Sequence, residues 1–166
     1  MTRESDTGAR PSSDAATDED DPTLVLPDEI RTQLCEHARA GTPEEICGIL
    51  GGTFDSDRSQ VSSAYPATNV ADTPRTRYRI DPEEQLECFE RLEATGEEIV
   101  GFYHSHPNGP SRPSETDVEA ATWPDRSYVI VSLEPFAVGS WRWRSSGAVD
   151  TRSESGGYFE RERIVS

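Results

Sequence analysis

The chain has 166 residues and a formal net charge of −16, from 32 acidic residues against 16 basic ones. This acidity excludes nucleic acid as a partner, because phosphate binding requires a basic face. No apolar run reaches the length of a membrane span and the N-terminus is polar and acidic, so we expect neither membrane attachment nor a signal peptide.

The basic residues are all arginine, and the chain contains no lysine. High acidity without lysine is typical of a halophilic proteome, in which surface carboxylates keep proteins hydrated at molar salt. A GC-rich genome would explain the missing lysine but not the acidity. The odd number of cysteines (Cys35, Cys47 and Cys88), scattered among apolar positions, predicts reduced and mostly buried thiols in a cytoplasmic protein.

The first 22 residues hold almost nothing that could pack in a core. We predict a disordered acidic tail over residues 1–22 and one domain over residues 23–166. The domain begins with a helix over residues 28–40, with an apolar stripe and Gly41 at its end. His37 lies on this helix, and as an isolated histidine it is predicted to be a surface or core residue rather than a ligand.

The elements that follow are read from apolar runs and turn residues. We predict strands over residues 46–50 and 60–65 as a hairpin, a loop over residues 66–76, and a short strand over residues 77–80. A helix follows over residues 81–95, with Leu86, Phe89 and Leu92 facing inward, and a strand over residues 98–103.

The last part of the chain is predicted to add a helix from Ser114 to about residue 122 and strands over residues 128–131, 137–144 and 158–165. The Trp-Arg-Trp-Arg run within residues 137–144 could form a stacking surface for nucleic acid, but the overall charge favours a half-exposed edge strand. A polar loop is predicted over residues 145–156. The order of elements indicates an α/β domain with a mixed sheet.

Two of the three histidines, His104 and His106, alternate on the predicted strand and therefore project from one face. A Pro/Gly turn follows, and Ser114 then reads as the N-cap of a helix with Asp117 in its first turn. The chain can fold back so that Asp117 meets both imidazoles. Two His and one Asp, with a fourth position left to water, are typical of a catalytic zinc site.

The run His-Ser-His-Pro, followed after seven residues from His106 by Ser-Glu-Thr-Asp, resembles the signature of the JAMM (MPN+/Mov34-type) metalloproteases. The family also has an upstream glutamate before x-x-Gly and an apolar stretch, which Glu45 and Gly48 match here. The resemblance spans roughly residues 24–144. It implies a single MPN/JAMM domain with a cytidine-deaminase-like fold, a mixed curved β-sheet flanked by helices.

The resemblance implies that His104, His106 and Asp117 bind Zn²⁺, with water in the fourth position. It further implies that Glu45 is the general acid/base and that Ser114 hydrogen-bonds the water or the oxyanion. Simpler interpretations remain open for three of these residues. Ser114 can be only an N-cap, Asp117 only a helix-dipole carboxylate, and Glu45 only a solvated acid, although its spacing to Gly48 fits the family.

The resemblance, which is to haloarchaeal members of the desampylase type, implies a zinc-dependent isopeptidase acting on conjugates of ubiquitin-like proteins. It would cleave peptide and isopeptide bonds after the Gly-Gly terminus of small archaeal modifiers. Because long insertions that select one linkage are lacking, we expect broad cleavage. The extended tail is expected to add as a strand to a sheet edge or to the segment of residues 66–79.

Three other functions remain as alternatives. A sulfur-carrier-protein peptidase would share the zinc site and differ only in the group that leaves. A non-catalytic MPN scaffold is disfavoured by the intact ligand set. A cysteine protease using Cys47 with His104 is also possible from the sequence, although an ordinary buried thiol is favoured.

Overall fold

Seven strands and three helices make up the part of the chain that the computed structural model describes, residues 21–145 and 156–166. The strands are β1 (Thr23–Val25), β2 (Cys47–Thr53), β3 (Arg58–Ala67), β4 (Glu98–His106), β5 (Ser127–Leu133), β6 (Phe136–Ser145) and β7 (Gly157–Val165). The helices are α1 (Asp28–Gly41), α2 (Pro82–Thr95) and α3 (Glu115–Ala120).

The strands form one mixed sheet that closes into a barrel in the order β1-β3-β2-β4-β5-β6-β7. Three pairings are parallel (β1 with β3, β1 with β7, and β4 with β5), and the other four are antiparallel. Strand β1, which the sequence did not predict, closes the ring because Leu24 pairs with both Ser59 and Ile164.

Two apolar clusters cover different faces of this sheet. The first joins the buried stripe of α1 to residues of β2, β4 and β5 such as Leu50, Tyr103 and Val129. The second joins α2 and the end of α3 to Phe102 and to neighbouring aromatic rings. The prediction that Leu86 faces inward was wrong, because this side chain is 59% exposed. The buried residues of α2 are Cys88 and Leu92.

Two further predictions were wrong: one strand that does not form, and the position of another strand in the sheet. Residues 77–80 form no strand; only Ile80 makes an isolated bridge, with Asn69. The predicted edge strand is β6, which is flanked on both sides by β5 and β7 and therefore has no free edge. The alternation of Trp and Arg suggested one wet face, but Arg142 is fully buried.

Arg142 and Glu162 form a buried ion pair that we call the clasp. Both side chains have 0% exposure. The Arg142 guanidinium also donates to the carbonyl groups of Thr23, Asp55 and Asp125, so it ties three other parts of the chain to β6. The charge of Arg142 can be buried because Glu162 and these three carbonyl groups accept hydrogen bonds from the guanidinium.

The mixed sheet flanked by helices is confirmed, and the likeness to cytidine deaminases stays a prediction. Among the described residues, no helix is both long and apolar enough to cross a bilayer. Most of the predicted tail (residues 1–20) and of the predicted loop (residues 146–155) lies outside the described residues.

Candidate metal and catalytic site

Strand β4 ends at His106, and its last alternate side chains converge with a carboxylate from α3. The Nε2 atoms of His104 and His106 are 3.2 Å apart. The Oδ2 atom of Asp117 lies 3.2 Å from the first and 3.1 Å from the second. All three side chains are buried, so the sequence-based expectation that they meet across the turn agrees with the structure.

Helix α3 begins with a reciprocal cap that positions Asp117. The Ser114 Oγ atom accepts a hydrogen bond from the Asp117 N–H at 3.1 Å, and Asp117 Oδ2 accepts one from the Ser114 N–H at 2.9 Å. This is a capping box in which aspartate takes the place usual for glutamate. The N-cap interpretation of Ser114 is therefore correct, and its hydroxyl proton remains available to a further acceptor.

Glu45 precedes β2 and is brought to the same place by the serine between the two histidines. Ser105 Oγ accepts from the Ile46 N–H at 2.9 Å, and the Ser105 N–H donates to the Ile46 carbonyl at 3.1 Å. The side chain of Glu45 is then close enough that one ligand atom from each of Glu45, His104 and His106 lies within 4.8 Å of the others. Glu44, by contrast, is exposed.

The Glu45 carboxyl is unusual in its surroundings. It is 6% exposed, and its Oε1 atom has no hydrogen-bond partner among the described residues. Burial raises its pKa to about 7; the His106 imidazole acts in the opposite direction and Asp117 in the same one. A carboxyl with such a pKa can both take up and release a proton near neutrality.

The three converging groups influence one another electrostatically. Burial disfavours the charged form of Asp117, but the two imidazoles and the Ser114 N–H outweigh burial and hold its pKa well below the ordinary value. Burial lowers the pKa of His104 despite the nearby Asp117. At His106, burial is opposed by hydrogen bonds to Asp117 and Pro110, which together raise its pKa. The lowered pKa of Asp117 means that its carboxylate is ionised across the ordinary pH range.

The two imidazoles are held in different ways. His106 Nδ1 lies 2.8 Å from the Pro110 carbonyl oxygen, which only accepts, so in the neutral ring Nδ1 carries the hydrogen and Nε2 has its lone pair available to a metal. His104 Nδ1 is buried and has no hydrogen-bond partner among the described residues. The His104 ring instead stacks on Tyr78, with the ring centroids 4.3 Å apart and the planes inclined by 23°.

The donor set fits a zinc ion. Ligands about 2.0–2.1 Å from a tetrahedral zinc ion are roughly 3.3 Å apart, close to the separations between the imidazole and carboxylate atoms here. Two neutral imidazole nitrogens and one carboxylate are ligands of the type that zinc prefers. The buried carboxyl of Glu45 beside them is not needed to complete this set.

A cleft of about 520 Å³ opens beside the converging residues. Glu45, His106 and Ser114 line it, and Arg75 and Arg112 are also part of its wall. A second groove of about 580 Å³ runs between the 66–79 segment and α3. Residues of the 66–79 segment therefore line both the cleft at Glu45 and the groove beside α3.

Cys47 and His37 were the other side chains considered from the sequence. The Cys47 thiol is buried and contacts the Ala67 carbonyl at 3.8 Å, and burial raises its pKa to about 12. A thiol of this kind is not nucleophilic near neutrality. His37 Nδ1 is 2.9 Å from the Tyr103 hydroxyl, away from the converging residues, as expected for a non-ligand.

Sequence reasoning did not identify Asn69 and Tyr78, which lie in a predicted loop and a wrongly predicted strand. Tyr78 contacts His104 through its ring, and Asn69 Nδ2 donates to the Glu45 carbonyl at 2.9 Å. An asparagine in a loop usually forms hydrogen bonds with its own neighbours, so nothing in the local sequence indicated that Asn69 would contact Glu45.

Comparisons with known proteins identify the family of the chain. Residues 27–145 match the family described as prokaryotic homologs of the JAB domain. A desampylase from Haloferax volcanii is 45% identical over 113 residues, which cover 66% of this chain and 80% of that protein. A CysO-cysteine peptidase from Mycobacterium tuberculosis is 41% identical over 109 residues, which cover 66% of this chain and 73% of that protein.

Solved structures show the same fold. The solution structure of a protein from Desulfitobacterium hafniense has a TM-score of 0.69 and 30% identity, covering 85% of this chain and 92% of that one. A protein from Salinibacter ruber has a TM-score of 0.60 and 32% identity, covering 86% and 90%. The family match spans well over half of the chain and includes all four converging residues, so the chain belongs to the JAB (JAMM/MPN) domain family.

Proposed function

We propose that the protein is a zinc-dependent peptidase that cleaves bonds after the Gly-Gly terminus of ubiquitin-like modifiers. The observation that carries this proposal is the convergence of His104, His106 and Asp117 beside the buried carboxyl of Glu45, whose Oε1 atom has no hydrogen-bond partner among the described residues. The similarity to a desampylase supports the substrate class.

His104, His106 and Asp117 would hold the metal through Nε2, Nε2 and Oδ2. A bound zinc ion would supply Lewis-acid chemistry, polarising the scissile carbonyl and lowering the pKa of water toward neutrality. The Pro110 carbonyl fixes the tautomer of His106, and the cap at Ser114 fixes the carboxylate. These contacts keep His106 Nε2 and Asp117 Oδ2 in place before any ion binds.

Glu45 acts as the general base and then as the general acid. Its ionised carboxylate removes a proton from the attacking water and later delivers that proton to the leaving amine. The raised pKa suits both steps, since the group can change protonation state near neutral pH. The Ser114 hydroxyl, whose oxygen already accepts from the Asp117 N–H, donates its proton to the developing oxyanion.

The strand pairing and the two clefts indicate where an extended tail can bind. The ring of strands closes through only three residues of β1, so residues 61–67 of β3 and 157–162 of β7 have a strand on one side only. We place the substrate tail along the 66–79 segment, because this segment lines both the cleft that contains Glu45 and the groove beside α3. Glycines suit this place because a backbone without side chains can approach buried groups closely.

The proposal is tested by incubating the purified protein with a Gly-Gly-linked modifier conjugate at molar salt. We expect cleavage that EDTA abolishes and that zinc restores, and Glu45→Gln should abolish cleavage while zinc remains bound. The control is Glu44→Gln, which alters an exposed neighbour. Full activity of Glu45→Gln would refute the acid/base assignment, and stoichiometric zinc in His104→Ala would refute the ligand set.

A second candidate function has specific support. The similarity to a CysO-cysteine peptidase suggests that the leaving group is a single amino acid, released from the end of a carrier protein. Both functions use the same site. A carrier with a C-terminal cysteine and an isopeptide-linked conjugate should be compared at equal concentration, and the ratio of their kcat/KM values decides between the two substrates.

The three cysteines are buried and free among the described residues, which suits the reducing cytoplasm. We propose that the enzyme works there, and that its acidic composition reflects a halophilic, archaeal source. Activity that increases from low salt to molar KCl would support a halophilic source.

A further inference from the structure

The 66–79 segment is bonded to Glu45 through the main chain on both sides of that residue. The Glu45 N–H donates to the Pro74 carbonyl at 2.8 Å, and the Glu45 carbonyl accepts from Asn69 Nδ2 at 2.9 Å. Neither bond involves the carboxyl group itself. The position of Glu45 at the start of β2 is therefore set jointly by the sheet and by this segment.

The side-chain amide of Asn69 makes four hydrogen bonds. Besides the bond described above, Nδ2 donates to the Arg77 carbonyl at 3.1 Å. Oδ1 accepts from the N–H groups of Ala71 and Arg79, both at 3.0 Å. An asparagine amide has two donor hydrogens and two acceptor lone pairs, so all are used. Asn69 thereby fixes both neighbours of Tyr78.

Tyr78 lies with its ring against His104, at a centroid distance of 4.3 Å. The His104 ring lacks the restraint that His106 has, because its Nδ1 atom has no hydrogen-bond partner among the described residues. A metal-binding imidazole is usually oriented by a hydrogen bond at its other nitrogen. At His104 the ring of Tyr78 lies against one face of the imidazole, where it hinders rotation of the His104 ring.

We propose that Tyr78 is a positioning residue for His104 and that Asn69 holds Tyr78 in register with Glu45. Tyr78 keeps Nε2 of His104 aimed at the atoms of His106 and Asp117 by blocking rotation of the imidazole. The inference rests on the proposed function in one respect, since it takes His104 as a metal ligand.

The primary test measures zinc affinity of the full chain by competition with a chromogenic chelator at molar KCl. Tyr78→Ala and Tyr78→Leu should weaken zinc binding about 10- to 100-fold, the range for loss of a residue that orients a ligand. Tyr78→Phe should stay within about twofold because the stacking ring remains. Tyr65→Ala, which removes a half-buried tyrosine from β3, is the matched control and should leave zinc affinity unchanged.

A spectroscopic measurement separates positioning from a general loss of stability. The visible absorption of the Co²⁺-substituted protein reports the arrangement of the ligands. We expect an altered spectrum for Tyr78→Leu and a wild-type spectrum for Tyr78→Phe and Tyr65→Ala. Wild-type affinity and spectrum in both Tyr78→Ala and Tyr78→Leu would overturn the proposal, as would equal losses in Tyr78→Phe and Tyr78→Ala.

The part played by Asn69 is tested by a double-mutant cycle on zinc affinity. If Asn69 acts through Tyr78, Asn69→Ala should weaken binding alone but add little to Tyr78→Ala. Full additivity would overturn that part of the proposal. The result also stays distinct from the proposed function: a wild-type protein that binds no zinc refutes the metal site, whereas wild-type binding with an unaffected Tyr78→Ala refutes only this inference.

Discussion

Ser114 and Asp117 cap one another, and the same Oδ2 atom of Asp117 that accepts from the Ser114 N–H also faces the two imidazoles. The start of α3 and the candidate metal site thus share one oxygen atom. Any change at Ser114 is therefore expected to affect both the helix and the chemistry, and the two effects can be separated.

Ser114→Ala should lower the free energy of unfolding by about 1 kcal/mol, because the Asp117 N–H loses its cap. It should also lower kcat about 10²- to 10³-fold, because a donor to the oxyanion is lost. Ser114→Gly, which at an N-cap costs only a few tenths of a kcal/mol and supplies no side-chain donor, should keep most of the stability without restoring kcat. Chemical denaturation and steady-state kinetics measure the two effects, and normal kcat in Ser114→Ala would leave the residue only its capping role.

Glu45 should make the metal-free protein less stable as pH rises. Its pKa is 4.5 when unperturbed and about 7 in the fold. Between these values the unfolded chain has released the proton and the folded chain retains it, so stability is lost from pH 4.5 to about pH 7. The advantage of Glu45→Gln over wild type should grow across this window by about 3 kcal/mol.

The measurement is urea denaturation of chelator-treated protein at several pH values. Only the change in the difference between the two proteins matters, because other titrating groups are common to both. Glu44→Gln serves as the matched exposed control and should follow the wild-type profile. A difference between Glu45→Gln and wild type that does not vary with pH would contradict the buried environment of the carboxyl.

Cys47 should be dispensable for cleavage. Its thiol is buried and its pKa is raised to about 12, so the thiolate that a cysteine protease requires does not form near neutral pH. Cys47→Ala should retain most of the wild-type kcat, and EDTA should still abolish cleavage. Loss of activity in a Cys47→Ala protein that still binds zinc would revive the cysteine protease alternative.

The clasp should matter greatly to stability. Arg142→Met leaves Glu162 buried without its partner, and we expect a loss of about 3–5 kcal/mol in the free energy of unfolding. Arg144→Met, two residues along β6, is the control; Arg144 pairs with more exposed acids and should cost about 1 kcal/mol or less. Urea denaturation at constant KCl gives both values, and equal costs would contradict the role of the clasp.

The candidate site was predictable because its signals are local. His104 and His106 are two residues apart on a strand, and Ser114 and Asp117 are three apart at a helix start, so spacing alone indicates which side chains point together. Glu45 was identified through its resemblance to a family motif. Nothing in its local pattern shows that Ser105 would bond Ile46 and bring the two strands together.

The closure of the barrel was not predictable, because it depends on distant partners. Strand β1 has only three residues, and its partners lie near residues 58 and 163. Arg142 was placed on an exposed edge because its alternation with tryptophan is typical of a half-wet strand, whereas its partner Glu162 lies 20 residues further on. Tyr78 contacts a residue 26 positions away, and its loop offers no periodicity to indicate this.

The burial of the clasp has a consequence for the response of the protein to dilution. Dissolved ions screen a buried pair much less than a surface pair, so the attraction between Arg142 and Glu162 changes little between dilute buffer and brine. The carboxylates on the outside repel one another more strongly as salt is removed. Removing salt therefore destabilises the protein through repulsion between its surface carboxylates, whereas the clasp is little affected.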